Sequence, residues 1–158
     1  MNTKLLITSF LLTCMCLRAQ TVTQIYKIDD LLKRTNKSDT IYVVNFWAVW
    51  CKPCVQELPS FDSLYQSTKN KPIKIILVSL DFKEDLESKV NVFLKKKKIQ
   101  SECVLLDEIN GNDFINKVDK AWTGAIPATL FTYKSKKKFL EKKVTLFELE
   151  RELKELQK

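Results

Sequence analysis

Residues 41–48, Ile-Tyr-Val-Val-Asn-Phe-Trp-Ala, form an almost unbroken apolar and aromatic run that stops just short of the segment Cys51-Lys52-Pro53-Cys54. A strand with one face in water alternates apolar and polar residues, whereas a continuous run marks a strand covered on both faces. Residues 74–81, Lys-Ile-Ile-Leu-Val-Ser-Leu-Asp, repeat the pattern. Two such strands must be buried between layers of helices, which restricts the chain to α/β architectures.

The other elements follow from periodicity. Residues 25–28 read as a short strand and 29–35 as a helix capped by Asp29, with a turn at 36–39. A helix is predicted from about Cys51 to Lys69. Leu86, Val90, Phe93 and Leu94 share a helical face, and residues 103–106 form another short strand. Phe114, Ile115, Val118 and Trp122 place a helix over 113–122. Residues 129–133 and 139–144 pair as a hairpin over a lysine-rich turn, and Leu146, Leu149, Leu153 and Leu156 stripe a closing helix. Alternating strands and helices with a late hairpin predict one domain built on a mixed β-sheet covered on both faces.

Composition excludes much chemistry. The 158 residues contain no histidine, which removes Ser-His-Asp and Cys-His centres and any imidazole-ligated metal or haem. Five cysteines leave sulfur as the obvious nucleophile. The net charge is +8, and lysines come in runs at Lys95–98 and Lys136–138 that lack aromatic interleaving, so they read as a solvated helix end and a hairpin tip, not a nucleic-acid surface.

Residues 1–19 have the anatomy of a secretory signal peptide: Lys4, an apolar core over 5–12, and Leu17-Arg18-Ala19 before Gln20. The core is too short for a transmembrane helix, which takes about 20 residues. Residues 20–158 are then the mature domain, and losing Lys4 and Arg18 lowers the net charge to +6. Cys14 or Cys16 could carry a lipid anchor, although Thr13 and Met15 are poor fits to the small residue wanted before such a cysteine. Three cysteines remain, Cys51, Cys54 and Cys103, and an odd number is not a complete disulfide framework. Cys103 sits in an apolar strand and reads as a small core residue, with a regulatory thiol as the alternative.

Two cysteines spaced by Lys52-Pro53 in a first helical turn can bring their sulfurs within disulfide range. The helix N-terminus favours a Cys51 thiolate and lowers its pKa below the free value of about 8.5. Lys52 adds positive charge, and Pro53 stiffens the turn without leaving an N–H unpaired. Zinc would need a second cysteine pair or histidine, and haem attachment would need histidine where Val55 stands, so neither metal nor cofactor is implied.

The segment Asn45-Phe46-Trp47-Ala48-Val49-Trp50-Cys51-Lys52-Pro53-Cys54 resembles the active-site segment of the thioredoxin superfamily. Its continuation Val55-Gln56-Glu57-Leu58-Pro59 resembles the exported TlpA/ResA-type proteins. Thr123-Gly124-Ala125-Ile126-Pro127-Ala128-Thr129 is similar to the superfamily's cis-proline loop. The resemblance implies a thioredoxin-like fold: a central mixed β-sheet flanked by helices, with an extra helix–strand insertion, about 84–106, before the cis-proline loop. It implies a thiol–disulfide oxidoreductase with Cys51 as nucleophile and Cys54 as resolving residue. Cys51 and Cys54 would form the redox disulfide.

Ile126, before a cis Pro127, would pair its backbone with an incoming peptide, while Trp50 and Pro53 would shape the docking surface. Asn45 stands where cytosolic thioredoxins carry a buried Asp and cannot take a proton. Glu57 would therefore tune the cysteines or relay the Cys54 proton, unless it is a solvated helix glutamate. Implied partners are disulfide-containing proteins, apocytochrome c among the family's targets, and a membrane electron donor. An oxidase or isomerase would use the same residues, and a binding module with a structural disulfide is the non-catalytic alternative.

Overall fold

The computed structural model describes residues 21–36 and 39–158, so the leader with Cys14 and Cys16 lies outside the described residues. The apolar run becomes strand β2 (Ile41–Trp47), buried along its whole length. Its side chains alternate between two cores: Val43 and Trp47 enter one, Tyr42, Val44 and Phe46 the other. The second apolar run is β3 (Ile73–Ser79), parallel to β2. With β1 (Gln24–Tyr26), β4 (Glu102–Leu106), β5 (Ala128–Tyr133) and β6 (Lys136–Leu140), the sheet runs β1-β4-β3-β2-β5-β6. β5 is antiparallel to β2, and β6 to β5, so the sheet is mixed.

Helices cover both faces. Leu58, Phe61 and Leu64 of α2 (Lys52–Thr68) and Leu94 of α3 (Asn91–Lys97) pack on one side. Leu149, Leu153 and Leu156 of α5 (Leu146–Gln157) join them. Ile28 and Leu31 of α1 (Ile28–Arg34) and Val118 of α4 (Ile115–Val118) close the other side. The expected helix–strand insertion is the unit formed by a π-helical turn at Leu86–Val90, α3 and β4, and its strand lies between β1 and β3. Among the described residues no helix is long and apolar enough to cross a membrane.

Several boundaries differ from the sequence reading, among them the end of the last strand, which stops at Leu140 and not Val144. Ile28 opens α1 instead of ending the first strand, and Asp29 is not the cap: Lys27 holds that position without a side-chain bond, while Asp29 and Asp30 sit in the first turn, where the helix dipole favours them. The second buried strand ends at Ser79, leaving Asp81 in the loop. The helix expected over 113–122 stops at Val118, because Asp119 turns extended and its carboxylate accepts the Ala121 N–H at 2.9 Å. Trp122 nevertheless folds back onto Phe46 and Phe114, with ring centroids 4.8 and 5.7 Å away. Lys136, Lys137 and Lys138 belong to strand β6 itself, and the hairpin turns at Lys134, which adopts φ 54°.

Candidate active site

Strand β2 delivers the chain to the loop 48–50, and α2 begins immediately beyond it. Cys51 is the N-cap of α2: its sulfur accepts the Cys54 N–H at 3.3 Å and its carbonyl accepts the Val55 N–H at 3.0 Å. Pro53 in the first turn has no N–H to leave unpaired. The two sulfurs are bonded at 2.04 Å. They are unequal in access, since Cys51 keeps 6% of its surface exposed and Cys54 none. An amide aimed at sulfur, together with the dipole of a 17-residue helix, favours negative charge on Cys51 once the bond is reduced.

The Ile126–Pro127 peptide bond is cis, and the Ile126 carbonyl oxygen lies 3.7 Å from Cys51 Sγ. Segments 75 residues apart thus meet at Cys51 Sγ. Trp50 stands 69% exposed beside it, and Pro53 is also exposed. Trp47 points the other way, fully buried against Phe93 with centroids 5.5 Å apart.

Beneath the pair lies a polar network inside the apolar core. Asn45 Nδ2 donates to Glu57 Oε1 at 2.8 Å and to Thr129 Oγ1 at 3.2 Å. Glu57 Oε2 accepts the Val144 N–H at 2.7 Å. Glu57 is 1% exposed, so it is not a solvated helix residue. Desolvation raises its pKa to about 7 against the opposing pull of the Val144 amide, the Asn45 amide and Lys143. It lies one turn beyond Cys54 on the buried side of α2, with a proton to give or take near neutrality. Cys103 is fully buried in β4, and burial pushes its thiol pKa up, as suits an inert core residue.

The structure therefore brings the Cys51–Cys54 pair against the Ile126–Pro127 peptide, leaves the neighbouring Trp50 and Pro53 exposed, and buries Glu57 one turn further along α2. It adds a residue to which the sequence reading gave no role in the site. Asp81, 5% exposed, accepts the Val49 N–H through both oxygens, at 3.0 and 3.2 Å, and the Ser79 hydroxyl at 2.8 Å. It pins the loop that carries Trp50. The available signal was its place just past the C-terminal end of a buried strand, where α/β folds gather functional groups.

A cysteine pair at a helix start, facing a cis-proline on a mixed sheet, defines a thioredoxin-like protein. Residues 17–137 match the AhpC/TSA family, and the chain belongs to that family. It is 35% identical over 63 residues to sporulation thiol-disulfide oxidoreductase A of Bacillus subtilis, covering 40% of this chain and 38% of that one. It is 49% identical over 39 residues to thiol-disulfide oxidoreductase ResA of Oceanobacillus iheyensis, covering 25% and 20%. These matches span well under two thirds of the relatives' own lengths. The crystal structure of a thioredoxin-related protein from Neisseria meningitidis serogroup B superimposes with a TM-score of 0.67 at 21% identity, covering 78% of this chain and 89% of that one, and shares the fold.

Proposed function

We propose that the protein is an extracytoplasmic thiol–disulfide oxidoreductase that reduces disulfides in other proteins. The observation that carries this reading is the Cys51–Cys54 disulfide at the head of α2, with Sγ of the less buried Cys51 facing the carbonyl of a cis-proline loop. The reduced pair carries two electrons. Cys51 thiolate attacks one sulfur of the substrate disulfide, forming a mixed disulfide and releasing the other sulfur as a thiolate that takes up a proton. Cys54 then loses its proton and attacks Cys51 Sγ. The mixed disulfide breaks, the second substrate thiol leaves, and the Cys51–Cys54 bond re-forms.

Glu57 is the group that takes the Cys54 proton, directly or through water, because Asn45 cannot. Ile126 offers its backbone to the substrate chain, and Trp50, Pro53 and Pro127 shape its seat. Substrates are disulfide-bearing proteins, apocytochrome c among the candidates, and a membrane-bound donor restores the dithiol. Residues 1–19 direct export, with a lipid anchor at Cys14 or Cys16 as the variant form. The fully buried Cys103 offers no second accessible thiol for peroxidase chemistry.

The test is capture in an exporting bacterial host. Cys54→Ser leaves the first attack intact and removes the second, so disulfide-linked partners accumulate and disappear on reduction. Mass analysis of the captured chain is expected to find Gln20 at its N-terminus. Cys51→Ala should capture none and lose activity on insulin. A Cys51→Ala protein with full activity would overturn the catalytic reading, and a reduction potential near that of strong oxidants would favour the oxidase.

A further inference from the structure

The loop 122–127 meets Cys51 through Ile126, and the backbone N–H groups of Trp122, Thr123 and Ala125 are already bonded. Trp122, buried in the second core, donates its indole N–H to the Ala125 carbonyl at 2.8 Å. Gly124 sits at φ 94°, where a Cβ would meet Ile115 Cδ1 at 2.9 Å. The remaining hold on the loop comes from Glu141, one residue past β6. Its Oε1 accepts the Ala125 N–H at 2.9 Å and the Thr123 hydroxyl, while the Thr123 N–H reaches both oxygens at 3.1 and 3.2 Å. Among the described residues the Ile126 N–H makes no hydrogen bond, and the Ile126 carbonyl faces Cys51 Sγ.

We propose that Glu141 is a positioning residue for substrate: by occupying the donors of Thr123 and Ala125 it fixes the proline loop so that Ile126 presents its unbonded N–H and its carbonyl to an incoming polypeptide. Three donors from two residues converge on this one side chain, which demands an acceptor-only group. Glutamine would turn an NH2 group toward at least one of those donors. Burial works against the charge, but the bonds from Thr123 and Ala125 outweigh it and hold the Glu141 carboxyl below the usual carboxylate range, so the clamp stays ionised at neutral pH. The carboxylate touches neither sulfur. Its influence falls on how an extended chain docks, not on the chemistry of the pair. A small disulfide that needs no backbone pairing does not feel it.

This inference rests on the oxidoreductase reading, and the experiment separates the two. Pre-reduced wild type, Glu141→Gln and Glu141→Ala are each mixed with insulin and with 5,5′-dithiobis(2-nitrobenzoate), and the second-order rate constants are compared. Losing a charge-assisted bond to a docking loop is expected to slow insulin reduction by roughly 10-fold in Glu141→Gln and more in Glu141→Ala. The small disulfide should react within about 2-fold of wild type, and the reduction potential of Cys51–Cys54 against glutathione should stay unchanged. Equal slowing toward both disulfides, a shifted potential, or insulin reduction at the wild-type rate overturns the positioning role. A wild-type protein that reduces neither disulfide overturns the oxidoreductase reading, and this inference with it.

Discussion

Glu57 is a carboxyl group that the fold surrounds with apolar residues yet supplies with two donors, the Asn45 amide and the Val144 N–H. Burial wins, and the folded chain holds the proton up to about pH 7, against 4.5 for the ordinary side chain. A group with a raised folded pKa contributes stability that is complete below the unfolded pKa and is lost as pH rises through the folded one. The window for Glu57 is therefore pH 4.5 to 7, and a shift of that size is worth about 3 kcal/mol. Glu57→Gln keeps the volume and removes the titration. Urea denaturation at pH 5 and pH 8 should show wild type losing roughly that amount relative to the variant. Parallel pH profiles would refute the assignment. The same substitution should slow release from the mixed disulfide above pH 7 while sparing its formation, since only the second step needs the Cys54 proton removed.

Helix α5 joins the site through its first turn. Val144, which donates to Glu57, immediately precedes the cap Thr145, whose hydroxyl accepts the Glu148 N–H at 3.3 Å while the Glu148 carboxylate accepts the Thr145 N–H at 2.9 Å. This capping box fixes where the helix begins and so where the Val144 amide points. Thr145→Ala should cost about 1 kcal/mol in urea denaturation. A loss under a few tenths of that would mean the apolar stripe alone holds α5. The stripe itself was legible in the sequence, because Leu149, Leu153 and Leu156 recur at helical spacing and all are buried. The buried runs of β2 and β3 and the start of α2 were equally legible. What escaped were contacts between segments distant in sequence: Asp81 reaching back to Val49, and Glu141 reaching to Thr123 and Ala125. Periodicity reports which face of an element is buried and is silent about a single side chain bonding a remote loop. The helix over 113–122 failed for a related reason. Its apolar spacing was right, and Phe114, Val118 and Trp122 do share a core, but a side-chain bond at Asp119 displaced the backbone ladder.

At the scale of the molecule, a six-stranded open sheet leaves two edges, each a row of unpaired backbone groups able to recruit another chain. β1 is three residues long, which limits what it can template. β6 is longer and carries Lys136, Lys137 and Lys138, all exposed. The lysine run read as a hairpin tip is thus an edge strand, and positive charge on such an edge disfavours pairing with another strand. Lys137 has a partner, Asp119 at 3.1 Å, whereas no ion pair is found for Lys136 or Lys138 among the described residues. Replacing Lys136 and Lys138 with threonine keeps strand propensity and removes two positive charges from the edge. Stability of the monomer should change by less than about 0.5 kcal/mol, because neither side chain is buried or paired. Self-association should rise: sedimentation velocity across a concentration series is expected to show more dimers and larger species for the double variant than for wild type. If the variant sediments like wild type at every concentration, charge on β6 does not guard the sheet, and the short reach of a five-residue edge is protection enough.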